Sequence, residues 1–144
     1  MKRALLDVNV LLALLDGDHV QHVTAREWFR AEVAAGWASC GVTQNGFVRI
    51  ISQPRYPSPV PAAQAIVRLA TASAGPHHQF LPSSVSILDS GIVDPSRILS
   101  SRQITDVYLL ALAVANDLLL VTFDQSIPLA AVSGASTADM LVLQ

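Results

Sequence analysis

Three aspartates in this chain stand where carboxylates can act together: Asp7, Asp106 and Asp124. Asp7 closes the short apolar run 3–6, and Asp124 closes the longer apolar run 118–123. Runs of that length and makeup predict buried strands of a parallel sheet. Both acids then fall at the carboxyl edge of the sheet, where open α/β folds place their sites. Asp106 sits in the first turn of a predicted helix capped by Thr105, where the helix dipole favours a negative charge. Carboxylates that converge repel one another and raise each other's pKa. A hard divalent cation resolves that conflict, and oxygen ligands with no Cys or His beside them suit Mg²⁺ or Mn²⁺ rather than Zn²⁺. Such a cation acidifies water and neutralises charge developing on a phosphate. Taken singly, Asp106 also reads as a capping acid and Asp7 as a turn residue. The chemistry rests on the set.

The elements that must hold these acids alternate between strands and helices. After Asp7, Asn9 caps a helix through Leu15, and Gly17 ends it. A second helix covers residues 20–35, with Val23, Trp28, Ala31 and Ala35 near one face. Gly36 stops it, and residues 37–42 form a second strand. Thr43 caps a third helix carrying Phe47, Val48, Ile50 and Ile51. The prolines of residues 53–59 forbid its continuation, because they lack the N–H and clash with the preceding turn. Pro61 suits the first turn of a fourth helix, through about Ser73. Residues 78–81 form a short strand, and residues 87–99 a short helix and loop. The helix behind Thr105 runs to Asn116, followed by the strand 118–123 and a weaker last strand over 140–143. This order predicts an α/β fold with a central, mostly parallel sheet flanked by helices. With no repeat, low-complexity tract or linker, residues 1–144 read as one domain.

Three stretches carry a family resemblance. Leu5-Leu6-Asp7-Val8-Asn9-Val10-Leu11-Leu12-Ala13-Leu14, Ile104-Thr105-Asp106-Val107-Tyr108-Leu109-Leu110-Ala111-Leu112-Ala113 and Leu120-Val121-Thr122-Phe123-Asp124 resemble PIN-domain nucleases. More narrowly they resemble the VapC-type toxins of toxin–antitoxin pairs. Asp18-His19 and His22 ahead of Ala25 and Trp28-Phe29 resemble that family's second helix. Thr43-Gln44-Asn45-Gly46-Phe47-Val48-Arg49 is similar to its third. The motifs run in family order from about Leu5 to Ser126. The resemblance implies a PIN-like fold and an endoribonuclease toxin that hydrolyses RNA phosphodiester bonds with Mg²⁺ or Mn²⁺. It implies Asp7, Asp106 and Asp124 as metal-site acids, with Asn9 and Thr122 as polar neighbours. It also implies a VapB-like antitoxin and a homodimer. The family usually has a glutamate where this chain has Gln44, and the resemblance implies that Gln44 belongs to the site. An amide oxygen can ligate a cation but brings no charge and cannot act as a base. The competing reading is therefore a catalytically weak PIN module that binds RNA or a partner.

Composition sets the outer limits. Of 144 residues, 51% are hydrophobic and 14% charged, which describes a globular chain with enough apolar surface to share some with a partner. The net charge of −2 gives no overall basic field. Between Arg49 and Arg102, however, Arg55, Arg68 and Arg97 add to the basic side, against only Asp89 and Asp94. Cys40 is the single cysteine, which excludes an internal disulfide and speaks against a thiolate metal site. Met-Lys-Arg ahead of an apolar stretch looks like a leader, but Asp7 and Asp16 interrupt it and no cleavage site follows. No run spans a bilayer uncharged, so the expected location is the cytoplasm. His19 with His22 lack further ligands, and His77-His78 reads as a strand edge. Ser83-Ser84 has no triad logic, and Trp28 and Trp37 read as core. A nucleotide-binding α/β protein is disfavoured by the lack of a Gly-rich phosphate loop.

Overall fold

In a computed structural model describing residues 2–144, strand β1 is Ala4–Leu6, and all three of its residues are buried. The chain leaves β1 through Asp7, whose carboxylate accepts the Val8 N–H at 2.7 Å and caps helix α1, Val8–Leu15. Asn9, the predicted cap, is instead inside that helix. The strand ends directly before Asp7, so the first free N–H groups lie within reach of Asp7 and not of Asn9. Helix α2, His22–Glu32, follows, and a single 3₁₀ turn carries the chain to Gly36. Gly36 has φ +91°, and a Cβ there would lie 2.4 Å from the Arg3 guanidinium, which donates to the His77 carbonyl. At that φ a side chain is strained whatever the space around it, so glycine suits the position.

Strand β2, Trp37–Cys40, is wholly buried and runs straight into helix α3, Gly41–Ile51. Thr43 does not cap α3 from outside. It sits in the first turn, where its hydroxyl accepts the Cys40 N–H at 3.0 Å. Helix α4, Ala62–Ser73, starts behind Pro61 as expected, and strand β3 is His78–Leu81. The predicted short helix in residues 87–99 reduces to turns and the 3₁₀ turn Pro95–Arg97. Its apolar residues have no helical period, and Leu88 and Leu99 stay exposed. Helix α5, Ile104–Ala115, begins one residue before Thr105, so Thr105 is likewise inside its helix. Strands β4, Leu119–Thr122, and β5, Met140–Val142, complete the sheet.

The five strands lie in the order β3-β2-β1-β4-β5, and every pairing is parallel. Successive strands travel outward from β1 to β3, and the chain then crosses to the other side of β1. The order therefore reverses between β1 and β4, and that reversal opens a crevice at their carboxyl ends. Side chains alternate across the sheet. Leu5 joins the core formed with α5, through Leu109, Leu110 and Leu112. Ala4 and Leu6 join the opposite core, with Leu11, Phe47, Ile51 and Leu69 from α1, α3 and α4. Among the described residues, no helix is long and apolar enough to cross a membrane.

Candidate active site

The crevice between β1 and β4 is where the acids meet. Asp7 follows β1 and is only 6% exposed. Thr122, the last residue of β4, donates its hydroxyl to Asp7 Oδ2 at 2.7 Å and is itself fully buried. Both Asp7 oxygens are thus engaged, Oδ1 by the Val8 N–H and Oδ2 by Thr122. Asn9 ties the same corner together from α1. Its amide nitrogen donates to Thr122 Oγ1 at 3.3 Å, and its oxygen accepts the Phe123 N–H at 3.2 Å. Asp124 lies two residues beyond β4, with its own N–H on Thr122 Oγ1. Its Oδ1 accepts both the N–H and the hydroxyl of Ser126, at 2.8 and 2.7 Å.

Asp106, in the first turn of α5, differs from the other two. Its carboxylate accepts no hydrogen bond from any described protein group, so it caps nothing. Burial, the Asp7 charge and the neighbouring Asp124 carboxylate push its pKa up to about 7. Burial also raises Asp7, against the Thr122 and Val8 hydrogen bonds that favour its charged form. The Ser126 hydroxyl and N–H hold Asp124 below the usual carboxylate range. No lysine or arginine among the described residues forms an ion pair with any of the three.

Asp7 and Asp106 line one cavity of about 520 Å³, whose opposite wall is α3. Val42, Asn45, Gly46, Arg49 and Ile50 form that wall, a spacing that follows one face of a helix. Gln44 is not among them. Its amide nitrogen donates to Ser39 Oγ at 3.0 Å, on the side of β2. The reason is helical phase: two residues on from Val42, a side chain points to the far side of the helix. The structure therefore brings Asp7, Asp106, Asp124, Asn9 and Thr122 together and leaves Gln44 outside.

The PIN domain family model matches residues 4–133, nearly the whole chain. The chain belongs to the PIN-domain family. Within it, the chain falls among the VapC ribonucleases. Ribonuclease VapC44 of Mycobacterium tuberculosis is 60% identical over 141 residues, covering 98% of this chain and 99% of its own length. Ribonuclease VapC38 of the same organism is 42% identical over 125 residues, covering 86% of each chain. The crystal structure of M. tuberculosis VapC20, a Sarcin-Ricin loop cleaving toxin, superposes with a TM-score of 0.62 at 13% identity, over 92% of this chain and 96% of that one. VapBC2 from Rickettsia felis, solved bound to a DNA fragment from its promoter, gives 0.55 at 11% identity, over 84% and 87%. Those two likenesses concern the fold.

For this PIN domain, the fit of a divalent cation rests on its donor set. The three carboxylates are oxygen donors, none of which pairs with a lysine or arginine among the described residues. That set fits a hard ion. Among the described residues, no three acidic, His or Cys side chains stand in ready liganding geometry. Two residues of the neighbourhood escaped sequence reading. Ser126 has a legible signal, because Asp-x-Ser is the local turn in which the carboxylate takes the N–H two residues on. Arg49 has none, since its spacing matches a solvated helix face equally well.

Proposed function

We propose that this PIN domain cuts RNA at the crevice between β1 and β4, with a divalent cation held by Asp7, Asp106 and Asp124. The chain is an endoribonuclease of the VapC kind, the toxic half of a toxin–antitoxin pair. One observation carries the assignment to the crevice: Asp106 is partly buried beside two other carboxylates, and its one side-chain hydrogen-bond partner is the acid Asp124. Nothing in folding favours such a group, so its position calls for a cation.

Mg²⁺ or Mn²⁺ bound there supplies a more acidic water and neutralises charge on the phosphate undergoing attack. The protein residues do the rest. Thr122 fixes which way the Asp7 carboxylate faces, and Asn9 fixes Thr122. Ser126 keeps Asp124 ionised. Asp106, whose pKa is pushed up by burial and by its two acidic neighbours, would hold the cation together with Asp7 and Asp124. The alternative of a catalytically weak module depends on Gln44, and Gln44 faces Ser39 rather than the acids.

The reading extends to partners and place. A VapB-like antitoxin fits a second cavity of about 530 Å³, between α1, α2 and α4. Leu11, Leu14, Phe29 and Trp37 line it, with Arg26 and Arg30 at its mouth. Apolar walls with basic side chains at the opening suit an amphipathic segment with acidic residues. A homodimer is supported by exposed apolar side chains such as Val67 on α4 and Val20. Its buried area would be roughly 1,200 Å² or more. The working location is the cytoplasm.

Cleavage of single-stranded RNA in Mg²⁺ or Mn²⁺, against chelated controls, tests the assignment. Asp7→Ala or Asp106→Ala should abolish cation binding and cleavage while the chain stays folded. Cleavage at the unmodified rate by either variant would sink it.

A further inference from the structure

Three troughs meet end to end on the face that carries the acids. The first, of about 680 Å³, lies between α3 and α4 and is lined by Gln44, Val48, Ile66 and Leu69 among others. The second is the acid cavity. The third, of about 300 Å³, is walled by Val85, Ile87, Ile104 and Tyr108. Asn45 and Arg49 belong to both the first and the second. Val42 and Thr105 belong to both the second and the third. The result is one continuous furrow with Asp7 and Asp106 at its middle.

Arg49 is the only cation lining this furrow among the described residues. It is exposed, and its guanidinium forms no ion pair and no hydrogen bond to the described protein. Three other basic side chains are engaged with the protein. Arg3 donates to the His77 carbonyl, Arg68 to the Leu15 carbonyl, and Lys2 pairs with Asp117 and Asp139. Arg49 lines the same cavity as two carboxylates without pairing to them, so its charge remains available to an anion.

We infer that Arg49 grips the phosphate next to the one being cut, on an unpaired stretch of RNA lying along this furrow. The inference rests on the acid cavity being the place of cleavage. A guanidinium presents a planar fork of donors that matches two phosphate oxygens. Its position on the ridge between two troughs sets the phosphate of one nucleotide while the neighbouring phosphate descends to the acids. Asp7 lies at the floor of its cavity, only 6% exposed. A rigid A-form duplex cannot lower its backbone into such a floor, whereas an unpaired strand can bend and lay its bases against the flanking apolar walls. Asn45 on the same ridge offers amide hydrogen bonds to the sugar between the two phosphates.

The test uses the full chain carrying Asp106→Asn, so that bound RNA is not consumed. The probe is a fluorescein-labelled, unstructured twelve-nucleotide pyrimidine RNA, with a hairpin duplex of equal length beside it. Arg49→Ala should weaken binding of the single strand about tenfold. It should also lower the slope of log affinity against log salt by about 0.7, the share of one released counterion. Arg49→Lys should keep the slope and much of the affinity, a rescue that a structural role for Arg49 does not predict. In the chain with Asp106 intact, Arg49→Ala should raise KM and leave kcat nearly unchanged. An unchanged affinity and salt slope in Arg49→Ala, or tighter binding of the hairpin, would overturn the inference. If that intact chain cuts no RNA at all, the assignment of cleavage to this crevice falls, and the inference with it. If it cuts RNA and Arg49→Ala changes neither KM nor slope, only the role of Arg49 is lost.

Discussion

The Thr122 hydroxyl spans 2.7 Å to Asp7 Oδ2, joining the carboxyl ends of two adjacent strands, β1 and β4, by a side-chain bond. The same oxygen accepts from Asn9 and from the Asp124 N–H, so one buried hydroxyl orients both acids that follow strands. Thr122→Val keeps the shape and removes all three bonds. The expected cost is about 1.5–3 kcal/mol of stability, because a hydrogen bond to a buried carboxylate is lost. Mg²⁺ affinity should fall roughly 10–100-fold, the usual result of removing a group that orients a ligand. Urea unfolding and calorimetric Mg²⁺ titration give the two numbers. An unaltered Mg²⁺ affinity in a destabilised variant would make Thr122 structural only.

Asp106 sets a pH dependence of known sign. Its folded pKa is about 7, against 3.8 for the ordinary carboxyl. A raised folded pKa contributes stability that is complete below about 3.8 and is lost as pH climbs through about 7. Asp106→Asn stays neutral throughout and escapes that loss. In chelator, the two proteins should match near pH 4 and separate up to neutrality, with the variant the more stable. The group is only partly buried, so the separation should be on the order of 1 kcal/mol. Excess Mg²⁺ should then stabilise only the unsubstituted chain. A difference that stays flat between pH 4 and pH 8 would mean that Asp106 titrates as an ordinary surface acid.

Much of the fold is legible because burial and strand order leave a strong pattern. Residues 4–6 and 118–121 are apolar on both faces, and β1 and β4 are the strands that the crevice separates from their carboxyl ends onward. Asp7 and Asp124 inherit their place from that pattern alone. Helix starts are harder, because a cap depends on a single backbone turn. Asn9, Thr43 and Thr105 are all good capping types, yet each lies inside its helix, and the position one to three residues earlier does the capping or starts the helix. The segment 87–99 is misread for a different reason. Its apolar residues cover the end of the α5 core through Val93, and no period records that.

Gly46 sets how closely α3 approaches α1. A Cβ on Gly46 would stand 2.8 Å from Val8 Cγ2, and Val8 is the residue after Asp7. Val8 is β-branched and stiff at χ1, so it cannot swing aside freely. Gly46→Ala should therefore cost about 1–3 kcal/mol through overpacking, less the usual helical advantage of alanine over glycine. Cleavage should fall as Asp7 is displaced. Adding Val8→Ala should restore both, a positive coupling that thermal melts and cleavage rates of the four proteins would measure. Additive effects would show that the contact is not shared.

Gln44 yields the prediction in which position and residue type point in different directions. Residue type suggests a weakened metal shell, because an amide stands where a carboxylate is expected, and on that view Gln44→Glu tightens Mg²⁺ binding. Position says otherwise. The Gln44 amide donates to Ser39 Oγ, which also meets His78 Nε2 at 2.8 Å, and Gln44 does not line the acid cavity. A carboxylate at 44 cannot donate to Ser39, so it exchanges one hydrogen bond for a charge at the β2–β3 edge. The expected outcome is a small loss of stability, about 0.5–1.5 kcal/mol, with Mg²⁺ affinity and cleavage rate unchanged. Parallel Mg²⁺ titrations of cleavage for Gln44→Glu and the unsubstituted chain decide between position and type. Superimposed curves follow from the geometry, whereas a leftward shift for Gln44→Glu would bring residue 44 back into the metal shell.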